Sequence, residues 1–280
     1  MKIGNGKFAI GVQKTEARPA LARNVEQLGY GALWVGGSPG GDLKLIKDLL
    51  DATATLSIAT GIVNIWGNAH MGTAAAFHRI EAAHPGRFFL GIGVGHRELN
   101  GKDYVRPHDA LARYLDGLLA DGVPTERIVV AALGPRVLKL AAQNAGGVYP
   151  NVNTVDYTAA IRKIIGPDSF LAVQHRVVME DDPVAARKVG REILAARYFP
   201  VANYMAQLRR LGYSDADLAD GGSDRLVDDL IAHGRDEEIA AQLIEHLKAG
   251  ADQLVVQVIG SPTGEEAVRL PRLAAALKIG

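Results

Sequence analysis

No cysteine occurs in these 280 residues, which excludes a disulfide framework, a thiolate metal site and a cysteine nucleophile. Net charge is missing too, because 31 Lys and Arg balance 31 Asp and Glu, and there is no long basic run or basic-aromatic stripe. Double-stranded nucleic acid is therefore not an expected partner, although neutrality leaves room for a local anion site. No apolar run approaches the length of a membrane span, so no membrane partner is expected. The opening Met1-Lys-Ile-Gly-Asn-Gly-Lys-Phe-Ala-Ile-Gly breaks up too soon for a secretory apolar region. A cytoplasmic protein acting on a small molecule is the expectation. What the chain does have is 48% hydrophobic residues, enough for a large core.

Short β-prone runs alternate with amphipathic ones. Strands are expected over 8–12, 32–35, 57–65, 88–93, 128–132, 147–149, 170–179 and 253–258. Helical patterns lie between them, over 17–28, 73–83, 109–119, 135–143, 155–165 and 236–248. Eight strands, each followed by a helix or a place for one, read as an α/β fold, a (β/α)8 TIM barrel in one domain over 1–280. A doubly wound sheet is the competitor, since closure is not written locally. Leu28-Gly29 and Ala249-Gly250 end helices with a glycine able to take the left-handed cap. Asp182-Pro183 starts a helix expected to reach about Leu208. Together with the chain after it, this makes an extended helical insertion over about 181–232, between strands seven and eight. The stretch Gly36-Gly37-Ser38-Pro39-Gly40-Gly41-Asp42 reads as a βα loop on the ligand-binding face.

In a parallel α/β fold, chemistry belongs at the carboxyl ends of the strands. Two such ends stand out: Ala59-Thr-Gly-Ile-Val-Asn-Ile-Trp66, and Pro85-Gly-Arg-Phe-Phe-Leu-Gly-Ile-Gly-Val-Gly-His96. Gly91, Gly93 and Gly95 lack the ordered G-x-G-x-x-G and helix of a dinucleotide fingerprint; they are expected to keep the barrel top open for a flat ring. Asn64 offers an amide to that ring and Trp66 a wall. His70 and His96, near the ends of strands three and four, are the candidates for proton transfer. His78 and His84 fall in or at the end of a helix and suit surface or capping roles. The four histidines form no H-x-H or H-E-x-x-H pair, so no metal site is expected. No G-x-S-x-G elbow supports an acyl-transfer triad. Gly134-Pro135-Arg136 opens a helix with free amides and a cation, which favours phosphate; an ordinary loop-to-helix junction has the same form. Gly146-Gly147 is a weaker candidate of the same kind.

These segments, with Arg106-Pro-His-Asp109, Tyr114-Leu-Asp116, Ala131-Ala-Leu-Gly-Pro-Arg-Val-Leu138, Gly234-Arg-Asp-Glu-Glu-Ile239 and Ala249-Gly-Ala-Asp252, resemble the bacterial luciferase-like superfamily of flavin and deazaflavin enzymes. The likeness is to its actinobacterial branch of oxidoreductases using the deazaflavin coenzyme F420. It implies a barrel whose carboxyl-end pocket holds the coenzyme without a covalent link, and a homodimer. It also implies a non-prolyl cis peptide behind the ring, mapping to Val63-Asn64-Ile65, and coenzyme phosphate on Gly134, Pro135 and Arg136. The reaction implied is hydride transfer between the deazaflavin C5 and a carbonyl, alcohol or activated alkene. Alternatives are an FMN-dependent monooxygenase and a noncatalytic cofactor-binding barrel. Two departures from the family bear on substrate and phosphate binding. Gly36-Gly37 stands where relatives place an acid or histidine, and Ala145-Gly146-Gly147 stands where they tend to have Ala-Asp-Gly.

Overall fold

β-Branched and aromatic runs bounded by turn residues form the strands, and apolar residues at helical spacing form the helices. The computed structural model describes residues 1–260 and 265–279. The strands are β1 (Phe8–Gln13), β2 (Ala32–Gly36), β3 (Ser57–Gly61), β4 (Val63–Asn64), β5 (Phe88–Gly93), β6 (Ile128–Ala131), β7 (Gly147–Tyr149), β8 (Phe170–Val178), β9 (Ile231–His233) and β10 (Gln253–Val258). The helices up to β8 are α1 (Pro19–Gln27), α2 (Lys44–Asp51), α3 (His70–Ala83), the short α4 (Arg97–Asn100), α5 (Pro107–Ala120), α6 (Pro135–Asn144) and α7 (Val155–Ile165). After β8 come α8 (Pro183–Arg197), α9 (Ala202–Arg210), α10 (Asp215–Leu218) and α11 (Asp224–Leu230), then α12 (Asp236–Lys248) before β10 and α13 (Glu266–Ala276) after it.

All strand pairings among the described residues are parallel. Neighbours run β10-β1-β2-β3-β5-β6-β7-β8, and β8 pairs back onto β10 from Ala172↔Gln253 to Val177↔Val258. That register closes the sheet into a (β/α)8 barrel and rules out an open doubly wound sheet, whose edges would stay unpaired. Alternation along the strands divides the core. Ala9, Trp34, Ala59, Phe89, Val129, Tyr149, Ala172 and Val255 fill the barrel interior. The opposite faces bury Leu33, Ile58, Leu90, Val148 and Leu254 against the helix ring. Each fully buried aliphatic side chain there contributes about 1.5–3 kcal/mol.

Three expectations need correction. The strand expected over 57–65 is broken: Gly61–Ile62 is a cis peptide bond, one residue before the segment Val63-Asn64-Ile65, and β4 resumes pairing at Val63↔Ile92. Across the break the Thr60 hydroxyl donates to Gly91 O and accepts from Gly91 N. The strands approach so closely there that a Cβ on Gly91 would lie 1.8 Å from Thr60 O. Gly91 is thus needed for strand packing. The helix expected to reach about Leu208 starts as read, with Asp182 Oδ1 accepting from Val184 N. It stops at Arg197, because Pro200 follows and disfavours helix at the residue before it. Finally, the chain after α11 makes a strand, β9, which extends the sheet beside β8 from Arg176↔Ile231. The segment 181–232 carries its own apolar cluster, including Leu194, Tyr198, Leu208 and Leu226. A two-pronged ion pair from Arg187 to Asp228 joins α8 to α11.

Candidate active site

A cavity of about 780 Å³ opens at the carboxyl ends of the barrel strands, a size typical of small-molecule and cofactor sites. Its floor is Trp34, stacked on Tyr149 with ring centres 4.4 Å apart. Buried polar groups need partners, and here they form a chain: Tyr149 O–H donates to Gln174 Oε1 (2.9 Å) and Gln174 Nε2 to Gln257 Oε1 (2.7 Å). One wall is nearly bare of side chains, formed by Gly11, Gly36 and Gly61. A Cβ on Gly61 would press within 2.8 Å of Tyr149 Cε1. The opposite wall, from the loop after β7, from β8, and from the end of α8 and the start of α9, is polar and aromatic, with Asn151, Arg176, Tyr198 and Tyr204.

His96 lies on the cavity lining. Its Nδ1 is 3.0 Å from Asn203 Oδ1; since an amide oxygen only accepts, Nδ1 carries the proton and Nε2 keeps its lone pair. Burial pushes the imidazole below the usual histidine range, with the Asn203 bond and Glu98 opposing, so the ring is neutral at pH 7. A neutral ring with a free Nε2 is a proton acceptor. The other proton-transfer candidate, His70, stands elsewhere. At the start of α3 its Nδ1 meets Asp121 Oδ2 at 2.7 Å, and its ring packs so closely on α5 that a Cβ on Gly117 would come within 2.6 Å. It does not line the cavity, because the chain has turned outward after β4 into a helix-helix seam.

The other sequence candidates divide likewise. Asn64 lines the cavity, but its amide serves the loops: Nδ2 donates to Asn100 Oδ1 and Oδ1 accepts from Trp66 N. Trp66 is not on the lining; its Nε1–H donates to Val94 O (2.8 Å) and its ring leans on Tyr104. Val63 and Ile65 are buried in the outer core. Gly95 lines the cavity at positive φ, where a Cβ would meet Asn64 Nδ2 at 2.9 Å. Gly134 reaches the lining at the N-terminus of α6 with open space around it, and Pro135 and Arg136 follow, both exposed. Gly146 and Gly147 lie at the opposite end of the barrel. Gly146 N donates to Thr125 O, and a Cβ on Gly147 would meet Phe170 O at 2.6 Å. They start β7, and a strand's start faces away from its carboxyl end. No group of acidic and histidine residues among the described residues can hold a metal ion.

Sequence reading missed the polar wall. Its signal was present in Gln174 and Arg176, two residues apart at the end of a strand that is otherwise largely apolar, which is the inward spacing of a barrel strand. Tyr198 and Tyr204 carried no such signal, since the chain returns to the site through the break between α8 and α9.

No family model and no curated protein matches the chain. Solved structures do. The coenzyme F420 dependent tetrahydromethanopterin reductase from Methanopyrus kandleri superposes with TM-score 0.75 at 16% identity, covering 98% of both chains. An F420-dependent secondary alcohol dehydrogenase gives 0.74 at 13%, covering 97% of this chain and 98% of that one. The oxygenating constituent of 3,6-diketocamphane monooxygenase from Pseudomonas putida, in complex with FMN, gives 0.68 at 14%, covering 98% of both. The chain has the (β/α)8 barrel fold that these structures share.

Proposed function

We propose that the protein is an oxidoreductase of small organic molecules working with a flavin-type coenzyme, either F420 in hydride transfer or FMN in a monooxygenase. The observation that carries this reading is the pair of unlike walls facing each other across one cavity. A flat ring fits the side-chain-poor wall of Gly11, Gly36 and Gly61, and an organic substrate fits beside the polar wall. Gly134 and the exposed Arg136 at the start of α6 would hold the coenzyme phosphate through free amides and charge. When bound, a deazaflavin supplies hydride chemistry, and FMN supplies hydride or oxygen chemistry. The protein's share is to orient, to keep water out and to handle one proton. His96 Nε2 takes the proton at the cavity, and the stacked Trp34 and Tyr149 seal the floor. His70 has no part in this reading.

The F420 form is supported by the two F420-dependent enzymes above, and the FMN form by the monooxygenase containing FMN. Parallel equilibrium titration of purified protein with oxidised F420 and with FMN, followed by absorbance or fluorescence, tests both. Selective F420 binding directs the substrate screen to alcohols, carbonyls and activated alkenes. Selective FMN binding directs it to oxygen uptake. Binding of neither overturns the proposal. A homodimer belongs to the same reading and is checked by light scattering.

A further inference from the structure

Arg176 is a buried cation with no counter-ion among the described residues. Its side chain enters the cavity from the carboxyl end of β8, and the residue is only 8% exposed. Among the described residues no carboxylate pairs with it. Nη1 makes one long bond, 3.4 Å to Asn151 Oδ1, and the guanidinium lies 4.7 Å from the Tyr198 ring centre. Nε and Nη2 donate to no protein acceptor among the described residues. A buried charge is costly unless it is paired and hydrogen-bonded, so this arrangement calls for an anion from outside.

The neighbours fit that role. Asn151 is held by Val152 N and the Tyr198 hydroxyl at Oδ1, and donates from Nδ2 to the Tyr204 oxygen at 2.9 Å. With its oxygen accepting, Tyr204 is left with an O–H that has no protein acceptor among the described residues. Open donors from Arg176 and Tyr204 therefore stand on one wall, while Glu98, the acidic side chain on the lining among the described residues, is bonded to Ala202 N. Burial lowers the guanidinium only to about 10, so it stays charged at neutral pH. Arg197, on the lining nearby, adds a second positive charge. The surroundings are otherwise aromatic, with Tyr149, Tyr198 and Tyr204. The expected coenzyme phosphate site at α6 lies two strands away, after β6 rather than β8.

We infer that Arg176 and Tyr204 form a carboxylate site, so that the substrate is an organic acid with a flat apolar body. A planar guanidinium matches a carboxylate with two parallel bonds, and the stacked aromatic floor takes the apolar part. The inference rests on the proposed oxidoreductase reading for the word substrate; the binding site itself does not.

The test is calorimetric titration of the full chain with benzoate, and with benzamide as its uncharged twin, both without coenzyme. Saturable benzoate binding is expected, at least tenfold weaker in Arg176→Gln, with benzamide affinity equal in the two proteins. The Arg176→Gln protein should also bind its coenzyme within threefold of wild type. If benzoate and benzamide bind alike, or benzoate affinity survives Arg176→Gln, the inference fails. A tenfold loss of coenzyme affinity in Arg176→Gln would instead assign the arginine to the coenzyme, and inorganic phosphate outcompeting benzoate would replace the carboxylate; either overturns it. Tyr204→Phe, which keeps the charge and the ring, should weaken benzoate threefold to tenfold and serves if Arg176→Gln does not fold. Arg176→Met should raise the melting temperature, since it removes an uncompensated buried charge, whereas a structural arginine would lower it. Because these titrations need no coenzyme, failure of the carboxylate site and failure of the oxidoreductase reading are separate outcomes.

Discussion

At the scale of the residue, His96 carries the sharpest expectation. Its Nδ1–H is committed to Asn203, so only Nε2 is available at the cavity. His96→Gln removes the titrating group and should lower turnover by roughly 10²- to 10⁴-fold, the usual range for one proton-transfer group. Coenzyme affinity in the same titration should stay within threefold. Burial lowers the imidazole pKa, so the basic form persists below the ordinary value of about 6.5. The rate in the direction that needs a base should therefore hold to a pH below about 6.5 and then fall, and this limb should vanish in His96→Gln. Asn203→Ala removes a contact that raises the pKa, so it should move the limb further down in pH. The place of His96 on the cavity lining was legible in the sequence because it follows a glycine-rich strand end. His70 lies off the cavity because its neighbours, Gly117 on α5 and Asp121 just past its end, lie about fifty positions away, and only the fold brings that seam together.

At the scale of the element, α6 and the α7–α12 seam can be probed separately. Gly134 caps α6 in an extended conformation that any residue adopts, with nothing within 4 Å of a built Cβ. Gly134→Asp should therefore fold, with stability unchanged or raised by about 0.5 kcal/mol as the carboxylate accepts free amides and meets the helix dipole. The same carboxylate occupies the expected phosphate position, so coenzyme affinity should fall at least tenfold; unchanged affinity would remove α6 from the site. In the helix ring beside α6, His246 on α12 is 1% exposed and bonds Thr158 on α7, and burial pushes its pKa down to about 4. The unfolded chain takes up a proton near pH 6.5, before the folded one does. The stability linked to His246 is thus complete above about pH 6.5 and is lost as the pH falls towards 4. Two to three pKa units correspond to about 3 kcal/mol. Urea unfolding at pH 7.5 and 4.5 should show wild type losing about 2 kcal/mol more than His246→Gln. Element positions were readable wherever caps and periodicity agreed, as at Asp182 and Gly29. They failed where a local breaker acted: Pro200 split one expected helix, and β9, three residues long, is too short for any periodicity to declare it.

At the scale of the molecule, the eightfold alternation was written in the sequence but its closure was not, since the β8–β10 register is set by strands about eighty residues apart. The same limit hid how the cavity is roofed. The loop after β5 and the start of α9 meet over the cavity through two bonds: His96 to Asn203, and Glu98 Oε1 accepting from Ala202 N at 3.0 Å. Glu98 bonds a partner 104 residues on, a distance no local pattern declares. Ala202 N is one of the orphan amides of the first turn of α9, so Glu98 caps that helix from another part of the chain. This contact holds the Glu98 carboxyl below its usual range, so the bridge is complete at neutral pH and opens only as acid protonates it. Because Glu98 is exposed, solvent screening limits this bond to about 0.5–1 kcal/mol, equivalent to roughly twofold to fivefold in a local opening equilibrium. Glu98→Ala should accordingly speed amide hydrogen exchange roughly twofold to fivefold over 95–104 and 199–204 together, while the barrel strands keep their protection. Coenzyme should dissociate faster with little change in the melting temperature. Acceleration confined to 95–104 would mean that the loop and the insertion open independently, and the insertion would then not act as the roof of the site.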